Sequence, residues 1–127
     1  MPKQKYSFGE LEQAIMDVVW NHDSVTVRDV VEALRERRVA YTTIMTVMNR
    51  LVAQRILNRQ AGASGAFSYQ AKRNREAFQA EASRAAIDDL LQRYGSVAMA
   101  QFIDRLDKVP SEKLAELRKK LKKDQRS

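Results

Sequence analysis

Ala40-Tyr41-Thr42-Thr43-Ile44-Met45-Thr46-Val47-Met48-Asn49-Arg50-Leu51 carries two patterns on one helix. Ile44, Val47, Met48 and Leu51 recur at i, i+3, i+4 and i+7, which predicts an amphipathic helix from about Tyr41 to Arg55 with that stripe buried. With residues about 100° apart, the opposite side presents Thr42, Thr46, Asn49 and Ala53, with Thr43, Met45 and Arg50 on the shoulders. A solvated helix face normally carries Glu and Lys. Three threonines within Thr42–Thr46 are instead poor helix formers, so local stability is given up there for something else. A DNA major groove fits that face. Thr hydrogen-bonds base edges and sets its methyl on thymine, Asn pairs bidentately with adenine, and Ala leaves room for close approach. Thr42, Thr43, Met45, Thr46 and Asn49 are the expected base-reading residues.

Upstream, Thr26 followed by Asp29 reads as a helix start, and Val27, Val30, Val31 and Leu34 give the stripe of a helix ending near Arg37. A short break at Arg38-Val39-Ala40 then separates two helices, which is a helix-turn-helix, although the break lacks the glycine that many such turns contain. A further helix is expected over Gly9–Asn21, with Leu11, Ala14, Ile15, Val18 and Val19 on one stripe. Met16 and Trp20 lie on another side, so this helix is covered from two directions and Trp20 belongs to the core. His22-Asp23-Ser24 is a loop. Downstream, Ile56–Gln60 and Ala66–Ala71 flank Ala61-Gly62-Ala63-Ser64-Gly65, a β-hairpin with a flexible tip. Directly after a recognition helix, such a hairpin is a wing. Phe67 and Tyr69 share one side of its second strand; packing against Trp20 is the first expectation and nucleic-acid contact the alternative.

The 127 residues carry a formal net charge of +7, and its distribution says more than its size. No acidic residue occurs between Glu36 and Glu76, an interval holding Arg37, Arg38, Arg50, Arg55, Arg59, Lys72, Arg73 and Arg75. A surface facing phosphate explains such a run better than a solvated helix, which mixes signs. Tyr41, Arg50, Arg55 and Arg59 are placed to clamp phosphates, which fixes register without reading sequence. For Arg37 and Arg38 a solvated helix end serves nearly as well.

Composition closes other routes. With no cysteine, one histidine, no glycine-rich phosphate loop and no carboxylate pair at a plausible site, the chain is not expected to be an enzyme, to bind a metal or to need a cofactor. No apolar run is long enough to insert in a membrane, and no apolar segment follows the basic Met1-Pro2-Lys3-Gln4-Lys5, so a cytoplasmic protein is expected. Two other readings stay open. An architectural or RNA-binding basic protein would use the same charge without operator readout, and a helical adaptor would bind another protein through its tail.

From Asn74 the chain reads as helix again, with Phe78, Ala82, Ala85, Ala86, Leu90 and Leu91 broadly on one side and a stop at Gly95. A shorter helix spans about Val97–Leu106. The last opens at Pro110-Ser111-Glu112, proline before a Ser cap, and carries Leu114, Leu117 and Leu121, with Lys119, Lys120, Lys122 and Lys123 near its end. Helices this short and narrow cannot bury their own stripes, so a second copy is the expected partner, through Phe78, Ala82, Leu90, Leu91, Phe102, Leu114, Leu117 and Leu121. Folding of the tail back on the wing domain is the alternative. The expected fold class is mainly α with a small β-hairpin wing: a winged helix-turn-helix DNA-binding domain over 1–73 and a C-terminal helical dimerisation region over 74–127.

These residues resemble the penicillinase repressor family, the BlaI/MecI-type regulators. The resemblance rests on Leu11-Glu12-Gln13-Ala14-Ile15-Met16-Asp17-Val18-Val19-Trp20, on Thr26-Val27-Arg28-Asp29-Val30, and above all on Ala40–Leu51. It extends through the wing and tail. It implies a homodimer on a palindromic double-stranded DNA operator, repressing β-lactamase-type or stress-response genes and a membrane-bound sensor metalloprotease. That sensor relieves repression by a cut before a phenylalanine, typically after asparagine; the matching pair here is Gln101-Phe102, with glutamine in place of asparagine. Copper-responsive relatives bind metal through C-terminal cysteines, which this chain lacks.

Overall fold

A computed structural model describes residues 8–126, with side chains through Lys123; the basic Met1–Lys5 lie outside the described residues. The element order is α1 (Glu10–Trp20), α2 (Val27–Ala33), a 3₁₀ turn (Arg35–Arg37), α3 (Tyr41–Ala53), β1 (Leu57–Ala61), β2 (Phe67–Ala71), α4 (Arg75–Tyr94), α5 (Ser96–Asp107) and α6 (Ser111–Arg126). Two compact units result, the first reaching Ala85 and the second beginning at Ala86, so the division falls within α4.

In the first unit, the stripes expected from periodicity converge on one core. Ile15, Met16 and Val19 of α1, Val27 and Val30 of α2, and Ile44, Val47, Met48 and Leu51 of α3 are buried together with Ile56, Leu57 and Tyr69. Removing each such side chain from water contributes about 1.5–3 kcal/mol before entropy is counted. α1 is covered from two sides, which is why Met16 is as buried as Ile15. Trp20 is only half buried: its indole N–H donates to the Arg73 carbonyl at 3.0 Å, and its ring meets Phe8 and Phe78.

Local chemistry sets the helix ends. Thr26 and Asp29 form a reciprocal cap, the Asp29 N–H donating to Thr26 Oγ1 at 3.1 Å and the Thr26 N–H to Asp29 Oδ2 at 2.9 Å. α2 stops at Ala33, earlier than periodicity suggested, because Arg35–Arg37 tighten into 3₁₀ geometry. The glycine-free turn is made by Arg38, which takes the left-handed conformation at φ 54°. Arg55, past the end of α3, does the same at φ 63°. Each costs on the order of 1–2 kcal/mol relative to a residue without Cβ.

The wing is an antiparallel pair in the register Leu57↔Ala71, Asn58↔Gln70, Arg59↔Tyr69, Gln60↔Ser68 and Ala61↔Phe67. Its tip needs both glycines: Gly65 sits at φ +86°, and a Cβ at Gly62 would lie 2.7 Å from the Ala66 carbonyl oxygen. Val25, between the His22–Ser24 loop and the Thr26 cap, adds a bridge, its N–H and carbonyl both paired with Tyr69. Tyr69 is buried as expected, but Phe67 is 44% exposed and does not reach Trp20. Two residues nearer the tip, it has passed the edge of the core.

Phe78 departs further from expectation. Read as a dimer contact, it is instead 5% exposed inside the first unit, stacked on Phe8 with ring centroids 5.0 Å apart, and Ala82 packs beside it. These two α4 residues therefore hold the start of the helix to the first unit and explain why that unit runs past Arg73.

The second unit comprises the rest of α4 with α5 and α6. Gly95 at φ 57° stops α4 as expected. Ser111 is itself the first residue of α6, with the Leu114 N–H donating to the Pro110 carbonyl at 3.1 Å, so the proline and not the serine holds the capping position. Among described residues of this unit only Ala98 is a buried hydrophobe, while Ile87, Leu90, Tyr94, Val97, Met99, Ile103, Leu106, Leu117 and Leu121 are exposed.

Candidate nucleic-acid interface

α3 shows its two patterns as two faces. Ile44, Met48 and Leu51 are fully buried and Val47 nearly so; Thr42, Thr43, Met45, Thr46, Arg50 and Ala53 are exposed on the other side. The helix is anchored by one face so that the other is presented. No carboxylate lies on it. Thr46 Oγ1 donates to the Thr42 carbonyl at 2.8 Å, which fixes its rotamer, turns its remaining lone pairs outward and leaves the hydroxyl an acceptor. Ala40 precedes the helix with no side-chain cap, leaving N–H groups at its positive end unsatisfied by side chains.

Asn49 is different. It is half buried, and its Oδ1 accepts from the Tyr69 hydroxyl at 2.9 Å and from Arg59 Nη1 at 3.0 Å. The adenine pairing expected of it needs that oxygen. Both lone pairs are engaged within the protein.

The basic interval divides into paired and unpaired cations. Arg37 pairs with Glu10 at 3.4 Å, Arg73 with Glu81 at 2.9 Å and Arg75 with Asp17 at 2.8 Å. Arg75 also lies over the Trp20 ring. These three tie the first unit together, although exposed pairs of this kind contribute little each. Among the described residues no salt bridge reaches Arg38, Arg50, Arg55, Arg59 or Lys72. Arg55, Arg59 and Lys72 line one groove along the wing with Asn58, Gln60 and Gln70. A second cleft, where α2 and α3 begin and the wing turns back, is lined by Arg28, Tyr41, Met45 and Phe67. Lys72 and Arg28 were not singled out from sequence. For Lys72 the signal was the acid-free interval itself; Arg28, next to a capping Asp, gave none.

Of the expected phosphate set, Arg55 and Arg59 come together, Tyr41 joins the cleft with Met45, and Arg50 stands on the shoulder of α3. In the second unit Leu90, Tyr94, Val97 and Phe102 line one apolar groove with Ala98. Leu91 and Leu114 are half buried. Gln101 and Phe102 both lie inside α5, so the bond between them is helical backbone. No cluster among the described residues could hold a metal ion, and no helix there is long and apolar enough to cross a membrane.

The model of the penicillinase repressor family matches residues 8–123, which takes in both units. The chain belongs to the penicillinase repressor family. That family comprises transcriptional repressors, not enzymes. A transcriptional regulator named BlaI from Mycobacterium tuberculosis is 49% identical over 51 residues, 39% of this chain and 37% of that protein. The chain thus spans well under half the length of the curated relatives it matches. Among solved structures, the DNA-binding domain of the repressor BlaI superposes with a TM-score of 0.51 at 24% identity, covering 58% of this chain and 90% of that one. YusO from Bacillus subtilis gives a TM-score of 0.51 at 10% identity, covering 96% of this chain and 77% of that one. At such identities the likeness is one of fold, and it makes this penicillinase repressor family member a winged helix protein.

Proposed function

We propose that the chain is a sequence-specific repressor that binds a palindromic DNA operator as a homodimer. The observation that carries this is the exposed, carboxylate-free face of α3, flanked by cations that no salt bridge reaches among the described residues. Thr42, Thr43, Met45 and Thr46 read base edges in the major groove. Tyr41, Arg50, Arg55 and Arg59, with Lys72 and Arg28 added, contact phosphates on either side. Residues 1–73 supply this surface. The region 74–127 supplies the dimer interface through Leu90, Leu91, Phe102, Leu114, Leu117 and Leu121, with Phe78 and Ala82 withdrawn into the first unit. The support is the apolar surface that the second unit leaves open in a single chain. Two-fold symmetry then sets two α3 helices against two half-sites.

Family membership supports control of β-lactamase-type or stress-response genes, and a cytoplasmic site of action follows from a DNA target. Relief by a membrane-bound sensor protease would fall at Gln101–Phe102. Because that bond is inside α5, the helix has to unwind before a protease can bind it in extended form.

Electrophoretic shift of the fragment upstream of the chain's own gene tests this reading. Retention of that fragment against an excess of random duplex is expected. Equal retention of both would assign the chain to architectural or RNA-type binding, and no shift at low ionic strength would remove nucleic acid from the account.

A further inference from the structure

Tyr69, Asn49, Arg59 and Phe67 form one chain of contacts across the gap between α3 and the wing. The Tyr69 hydroxyl, on a side chain only 1% exposed, donates to Asn49 Oδ1 at 2.9 Å. Arg59 Nη1 donates to the same oxygen at 3.0 Å. The Arg59 guanidinium also lies 4.3 Å from the centre of the Phe67 ring, which explains why a large aromatic is left exposed on the wing. Arg59 and Tyr69 are themselves partners in the strand register.

We propose that Asn49 is a positioning residue: it fastens the wing to the recognition helix and holds the Arg59 guanidinium ready for a phosphate, instead of pairing with adenine. This deepens the reading of α3 and the wing as a DNA surface and rests on it. A buried phenol aimed at one lone pair of the carboxamide fixes the side-chain rotamer, and the other lone pair then sets where Arg59 points. A long, flexible arginine held in place by a hydrogen bond and a ring loses less freedom when it meets its phosphate. Asparagine suits the role because a neutral acceptor directs a cation without cancelling the charge that DNA is to meet.

Titration of the full chain with the fragment upstream of its own gene, and with a random duplex of equal length, across a salt series tests this. Tyr69→Phe deletes only the hydroxyl of a residue that is 1% exposed. It and Asn49→Ala are each expected to weaken both duplexes by the same factor, about three- to tenfold, and to flatten the salt slope by up to about one. On an Arg59→Ala background neither is expected to weaken binding further, because the cation they place is gone. A merely structural defect would leave the slope unchanged and add to the Arg59→Ala loss, overturning the proposal. So would an Asn49→Ala effect confined to the ratio between the two duplexes, which is the mark of a base reader. Tyr69→Phe with wild-type affinity and slope overturns it as well, and stands if Asn49→Ala does not fold. If the wild-type chain binds neither duplex, the DNA reading falls and this inference with it; if it binds and the variants behave otherwise than described, this inference alone falls.

Discussion

At the scale of single residues, chemistry and fold make opposing demands that can be measured separately. Arg55, which no salt bridge among the described residues reaches, lines the wing groove and sits at φ 63°, a conformation that glycine adopts without penalty. Arg55→Gly is therefore expected to raise thermal stability by on the order of 1 kcal/mol while lowering affinity for every duplex. Melting curves and binding titrations on the same sample check both halves. Arg50, exposed on the shoulder of α3 and reached by no salt bridge among the described residues, carries no such strain. Arg50→Ala is expected to leave the melting temperature alone and flatten the salt slope by about one, equally for upstream and random DNA. Thr42→Val should act the opposite way. It leaves shape and charge but removes the hydroxyl, so the ratio between the two duplexes falls while the slope holds. What the sequence displayed at this scale was which residues face out of α3. What it hid was that Asn49 faces partly inward. The hydrogen bond from Tyr69 crosses twenty residues, and no local periodicity registers a contact that depends on where a later strand lies.

At the scale of elements, the helices were legible because each carries a long apolar stripe at one period, and the capping box at Thr26 marks its helix start in two residues. Thr26→Ala is expected to lower stability by about 1 kcal/mol by freeing N–H groups at the start of α2, readable by denaturant melting. The wing was legible from Gly62 and Gly65, whose backbone demands are local. Two elements ended or began elsewhere than the stripes suggested. α2 gives way early to a 3₁₀ turn, since Leu34 extends the stripe although the backbone beyond it has already tightened. Val25 pairs with Tyr69, and a single-residue bridge has no period to be seen. Phe78 belongs here too. A phenylalanine on an amphipathic helix looks the same whether its partner is another copy or Phe8 and Trp20. Phe78→Ala is expected to cost about 3–5 kcal/mol in the melting of the first unit, which distinguishes a core residue from a contact between copies.

At the scale of the whole molecule, a first unit with a complete core is followed by a second that exposes most of its large hydrophobes among the described residues. That contrast was partly foreseeable, because short helices with narrow stripes cannot cover themselves; the point of division within α4 was not, because it depends on the Phe78 stack. Leu90→Asp with Leu117→Asp is expected to turn a dimer into a monomer in sedimentation equilibrium without moving the melting of the first unit. The claim on which the rest depends is that two α3 helices, held at fixed separation, read two copies of one short sequence. Selection of bound duplexes from a random-sequence pool by the full chain tests it most directly. The account predicts a two-fold symmetric motif whose half-sites are centred about one or more DNA turns apart, each turn about 10 bp. Recovery of duplexes with no shared motif, at affinities that follow length and salt alone, would contradict it.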